Sequence, residues 1–82
     1  MTRAYVLIES AVGKAKGVAE GVQNLQFPDA PIVSVDAVTG PFDVIALLES
    51  DDLDKVGRAI TEGIQQVDGV QRTTTCLVVL LG

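Results

Sequence analysis

Histidine and tryptophan are absent from this chain of 82 residues, and cysteine and tyrosine occur once each. With no histidine and a single thiol, the usual zinc sites have no ligand set. The lone Cys76 also excludes an intrachain disulfide. Set inside an apolar run, it is expected to be a buried structural thiol. Basic side chains are scarce as well. Arg3, Lys14, Lys16, Lys55, Arg58 and Arg72 are scattered against eleven carboxylates, for a net charge of −5. Nucleic-acid binding needs clustered lysine and arginine to displace counterions from phosphates, so direct contact with DNA or RNA is not expected. No apolar run approaches the roughly 18 residues of a membrane span. The N-terminus lacks the basic, apolar, small-residue order of a signal peptide. A cytoplasmic protein with no membrane contact is the expectation.

What the chain does have is aliphatic side chains. Apolar residues make up 48% of it, nearly all valine, leucine, isoleucine and alanine. A chain of this length is one domain, spanning residues 1–82. It buries only about 60% of the surface its unfolded form exposes. With no disulfide or metal to help, stability must come from packing or from partner chains.

Residues 3–9 (RAYVLIE) form a short apolar run with tyrosine and β-branched residues, which reads as a strand. From 14 to 25, apolar residues recur at Ala15, Val18, Ala19, Val22 and Leu25, the spacing of a helix with one apolar stripe. Gly17 and Gly21 lie four apart on that helix, suited to the close approach of another backbone or merely tolerated. Two prolines bracket a loop at 27–31. Residues 32–39 and 42–49 read as strands separated only by Gly40-Pro41, and so as an antiparallel hairpin. Ser50-Asp51-Asp52 opens a second helix, with Ser50 or Asp51 as N-cap and carboxylates at the positive end of the dipole. Its stripe runs Leu53, Val56, Ile60, Ile64 and Val67, and Asp68-Gly69 ends it. Residues 70–81 read as one long final strand.

The order β-α-β-β-α-β predicts a ferredoxin-like α+β fold, a four-stranded antiparallel sheet with both helices on one face. The open face of such a sheet should carry polar residues at every second position. Here both faces are apolar. Phe42, Val44, Ala46 and Leu48 oppose Ile45 and Leu47; Cys76, Val78 and Leu80 oppose Leu77, Val79 and Leu81; Tyr5 and Leu7 oppose Ala4, Val6 and Ile8. No spare element can cover the second face. A second copy, sheet against sheet in a two-fold dimer, is therefore expected.

Chemistry is harder to find. Most carboxylates fall at strand ends, helix caps or solvated helix positions, and no P-loop or dinucleotide fingerprint occurs. Asp43, just past the Gly40-Pro41 turn, can bond backbone N–H groups of the turn or pair with a ligand ammonium group. Local sequence favours the former. Thr73 and Thr75, on one face of the last strand with Thr74 opposite, are ordinary β-formers whose hydroxyls can also meet a small polar ligand.

Taken together, Gly40-Pro41-Phe42-Asp43-Val44, Ser50-Asp51-Asp52-Leu53, Gly69-Val70 and Thr73-Thr74-Thr75 resemble the ligand-binding (RAM) domain of the Lrp/AsnC transcription regulators. The resemblance spans essentially the whole chain. It implies a ferredoxin-like fold whose sheets pair as dimers, with dimers associating further into octameric or decameric rings. It also implies amino-acid effectors bound between dimers near the Gly-x-Tyr-Asp turn. Carried onto this chain, Gly40, Phe42 and Asp43 are the first candidates, followed by Thr73 and Thr75. Asp43 would take the effector's ammonium group, and backbone N–H groups near Gly40 its carboxylate. Phe42 stands where tyrosine is commoner in the family. Full-length regulators carry an N-terminal helix-turn-helix domain, whereas this chain starts at Met1 just before its first strand. It thus resembles the stand-alone module, expected to need no cofactor and to join full-length Lrp/AsnC regulators as partners. Two other readings stay open: a small dimeric α/β-barrel enzyme of monooxygenase or isomerase type, with Arg72, Asp36 and hydroxyls as its polar groups, and a ligand-free oligomerisation unit.

Overall fold

A computed structural model describes residues 1–81. Its strands are β1 (Thr2–Ser10), β2 (Ile32–Ala37), β3 (Val44–Ser50) and β4 (Val70–Leu77). Helix α1 (Ala15–Gln23) follows β1, and helix α2 (Leu53–Glu62) with a 3-10 turn (Ile64–Gln66) lies between β3 and β4. The strands form one antiparallel sheet in the order β2-β3-β1-β4. This is the expected βαββαβ ferredoxin-like fold.

Strand period and helix period meet on one side of the sheet. Ala4, Val6 and Ile8 of β1 and Val44, Ala46 and Leu48 of β3 are fully buried. They pack with Val18 and Val22 of α1, Val56, Ala59 and Ile60 of α2, and Ile64 of the 3-10 turn. At the start of α2 the Asp52 carboxylate accepts the Asp54 N–H at 2.9 Å, so Asp52 is the N-cap in place of Ser50 or Asp51. Ser50 is instead buried. Its hydroxyl donates to the Asp29 carbonyl at 2.6 Å and accepts the Asp52 N–H at 3.3 Å, tying the 27–31 loop to the start of the helix.

The structure corrects several expectations. The second helix does not run on to Val67: it stops at Gly63, where the Phe27 ring lies over the backbone, and a single 3-10 turn carries Ile64 into the core. Leu53, placed on its apolar stripe, is half exposed. Strand β4 ends at Leu77 and not at residue 81, for a simple reason. Leu77 already pairs with Ala4, the Val78 N–H reaches the Arg3 carbonyl at 2.9 Å, and β1 itself begins at Thr2. Leu80 and Leu81 have outrun their partner strand, and residues 78–81 stand exposed, Leu80 at 98%. Cys76, expected buried, is exposed: it lies on an edge strand whose outward face nothing in this chain covers. Gly21 does allow a close approach, but to the Val67 side chain, while Gly17 borders open space.

Two glycines at and within α2 give opposite expectations. A Cβ at Gly63 would sit 2.6 Å from the Ala59 carbonyl oxygen, the acceptor of the helix's last bond, and would run into the Phe27 ring. Gly63→Ala should cost about 1–3 kcal/mol by overpacking. A Cβ at Gly57 meets nothing within 4 Å, so Gly57→Ala should add roughly 0.5–1 kcal/mol. Thermal or urea unfolding should therefore move in opposite directions for the two variants.

Candidate functional site

The β2–β3 connection is longer than the two-residue hairpin read from Gly40-Pro41. Strand β2 stops at Ala37 and β3 starts at Val44. The closing bond runs from the Val38 N–H to the Asp43 carbonyl at 2.9 Å, leaving residues 39–42 as the loop. Gly40 has φ +136°, outside the values of either primed two-residue turn, and Pro41 has no N–H to add to the ladder. Gly40 and Pro41 are exposed, and Phe42 and Asp43 are half-buried.

Asp43 is held at three points. Its N–H donates to the Ile8 carbonyl at 2.9 Å, its carbonyl accepts from Val38, and its Oδ2 accepts the Ser10 N–H at 2.8 Å. Ser10 lies just past the register shift between Glu9 and Ser10, where the β1–β4 ladder skips a residue. Ser10 had no sequence signal as a site residue, because nothing local marks that its N–H lies past the last β1–β3 pair, Ile8 with Val44.

Thr73 pairs with Ile8, and Thr75 with Val6. Both therefore share the helix-side face with the buried residues of β1, whereas Asp43 alternates with buried Val44 and belongs to the opposite face. The five candidate residues thus divide into Gly40, Phe42 and Asp43 at the turn and Thr73 and Thr75 further across, roughly 10 Å away in two strand spacings. Thr73 accepts a hydrogen bond from Gln65 Nε2 at 2.9 Å. Beside it lies an open hollow of about 420 Å³, lined by Gln65, Gln66, Gln71 and Arg72. Another hollow, of about 290 Å³, lies at the far end of the sheet among Asp29, Glu49, Asp51 and Lys55. There Lys55 Nζ bonds Asp51 Oδ1 at 3.1 Å. That hydrogen bond, with its charge attraction, holds the Asp51 carboxyl below its ordinary range and raises the Lys55 ammonium. Both groups are solvated, as befits a surface i,i+4 pair. No cluster of metal-ligating side chains occurs among the described residues.

The open face of the sheet has a regular composition. Register places Asp36, Ile45, Leu7 and Thr74 in one row across the strands, and Ser34, Leu47, Tyr5 and Cys76 in the next. Beyond these rows stand two cross-strand ion pairs, Arg3–Glu49 at 3.0 Å and Arg72–Glu9 at 3.8 Å. The centre is apolar and framed by charge at both ends. Tyr5 is 41% exposed there, while Leu7 and Ile45 are half-buried. Asp36 and Arg72, the polar groups of the enzymatic reading, lie on opposite edge strands, and Arg72 is already paired with Glu9.

Comparison with known proteins agrees with this geometry. The sequence matches the Lrp/AsnC ligand binding domain over residues 3–80. It is similar to the crystal structure of TTHA0845 from Thermus thermophilus, with 32% identity over 100% of this chain and 98% of that one, at a TM-score of 0.85. The hypothetical protein PHS023 from Pyrococcus horikoshii gives 30% identity over 99% and 93% of the two chains, at 0.81. A transcriptional regulator from Neisseria meningitidis, solved as an L-Met complex, shares the fold at a TM-score of 0.78. It is 18% identical, over 96% of this chain and 50% of its own length. No curated protein matches the chain. With 78 of its residues inside the family match and a βαββαβ sheet to carry them, the chain belongs to the Lrp/AsnC ligand-binding domain family.

Proposed function

We propose that this chain is a regulatory effector-binding and assembly module that pairs through its open sheet face and binds an amino acid or related small metabolite at the residue 39–42 turn. The observation that carries this reading is the apolar centre of that face, Tyr5, Leu7 and Ile45 around the already buried Leu47, framed by Arg3–Glu49 and Glu9–Arg72. A self-complementary patch with opposite charges at each end suits two-fold pairing, since either end can meet its own opposite. Each apolar side chain covered adds about 1.5–3 kcal/mol.

Family membership and the L-Met complex of the Neisseria regulator support an amino-acid effector. In this reading the effector lies between dimers in a larger ring, an octamer or decamer. Its site is made at the turn by Gly40 and Phe42 of one copy, with Asp43 at the end of that turn, and Thr73 and Thr75 are supplied where copies meet. The division of the five residues between two faces of one chain supports a composite site. The module contacts no nucleic acid or membrane itself, has no catalytic role, and acts in the cytoplasm, where it can join full-length Lrp/AsnC regulators.

Two measurements test this. Light scattering of the wild-type chain should give a dimer or a multiple of one, and Tyr5→Glu should shift it towards monomer with its circular dichroism retained. A wild-type monomer at high micromolar concentration would sink the pairing. Titration calorimetry against the proteinogenic amino acids should give heat for at least one of them. Neither heat nor thermal shift with any of them at millimolar concentration would remove the effector.

A further inference from the structure

Three connections come together at one end of the fold. The 39–42 turn reaches β1 through Asp43, whose Oδ2 accepts the Ser10 N–H at 2.8 Å. The next residue along the chain from Ser10, Ala11, donates its N–H to the Gly69 carbonyl at 2.8 Å. Gly69 sits at φ +96°, with Lys14 and Val18 so near its Cα that a Cβ would lie 2.8 Å from the Lys14 Cβ. Asp43 and Gly69, far apart in sequence, are thereby joined through consecutive peptide groups. The β1–β3 pairing ends at Ile8 and Val44, so the Ser10 N–H lies past the last pair and the Asp43 carboxylate supplies the acceptor that a continued ladder would offer. Within the turn itself, one backbone bond, Val38 to Asp43, closes the loop.

We infer that Asp43 is the positioning residue of the candidate effector site: through Ser10 its carboxylate fastens the 39–42 turn to the end of β1 and, by way of Ala11, to the Gly69 turn. This rests on the reading of the turn as the effector site and says what Asp43 does there. The carboxylate acts as a hydrogen-bond acceptor for a backbone N–H, and its negative charge is secondary to that role. Charge-assisted bonds of this kind are short and strong, in keeping with the 2.8 Å separation. An amide oxygen in the same place can accept the same bond, and a methyl group cannot.

Asp43→Asn and Asp43→Ala separate this role from direct capture of an ammonium group. Amide hydrogen exchange read by NMR should show Ser10 protected in the wild type and in Asp43→Asn. In Asp43→Ala it should exchange roughly tenfold to a hundredfold faster, while Val6 and Ala46 in the sheet centre stay protected. Effector affinity, for whichever amino acid gives heat with the wild type, should survive in Asp43→Asn within a few-fold and be lost in Asp43→Ala. A freely exchanging Ser10 amide in the wild type, or equal protection in the alanine variant, overturns the inference. So does loss of binding in Asp43→Asn with Ser10 still protected, which marks a charge contact. Should Asp43→Ala not fold, wild-type protection and the asparagine variant decide. A wild type that binds no amino acid removes the effector reading alone, and the exchange comparison still settles the bond between Asp43 and Ser10.

Discussion

Two helices of nine and ten residues can cover only one face of a four-stranded sheet, and everything else about this chain follows from that limit. The covered face carries the buried residues of β1 and β3, with α1 packed across β2 and β3 and α2 across β3 and β1. The other face is left with aliphatic and tyrosyl side chains in contact with water. In a small domain with no disulfide and no metal cluster among its described residues, such a face is a reservoir of stabilisation that only another surface can draw on. A regulatory module gains by this: its stability and its state of assembly become linked through one surface.

The position of β4 shows the same limit from the side. It is an edge strand, bonded to β1 alone, and Val70, at its start, packs against the core. Further along, Thr75, Cys76 and Leu77 are exposed, although their composition is that of an interior strand. Residues 78–81 continue the same apolar composition, with Leu80 and Leu81 past the first residue of β1. Exposed apolar edges invite pairing with another chain. Their direction here, along the border of the open face, agrees with a surface suited to a partner.

Much of the fold was legible in the sequence, because periodicity reports burial directly. The apolar stripe of α1 marked Val18 and Val22, and alternation sorted Ala4, Val6 and Ile8 of β1, and Val44, Ala46 and Leu48 of β3, onto common faces, though with both faces apolar it did not say which face the helices cover. What misled was composition used in place of position. Cys76 and residues 78–81 look interior, yet whether a strand is central or at an edge depends on sheet order, which one strand's own residues do not encode. The helix end was missed for a similar reason: Gly63 stops α2 because Phe27, 36 positions earlier, takes the space above it. The hairpin was read from a dipeptide, and Gly40 at φ +136° belongs to a wider loop.

The candidate site divides in the same way. Asp43 stood out locally because a carboxylate among apolar neighbours needs a partner, and it has one. That partner, the Ser10 N–H, lies 33 residues away, just past the last β1–β3 pair, at a point that no motif announces. The Gly-Pro-Phe-Asp and Gly-Val motifs look like separate signatures, and the fold shows them as two ends of one hydrogen-bonded cluster running Asp43, Ser10, Ala11, Gly69. A glycine at position 69 is then explained twice over, by its positive φ and by Lys14 and Val18 pressed against it. Motifs that suggest a shared function therefore also share a mechanical reason to occur together: each holds in place the turn that the other needs.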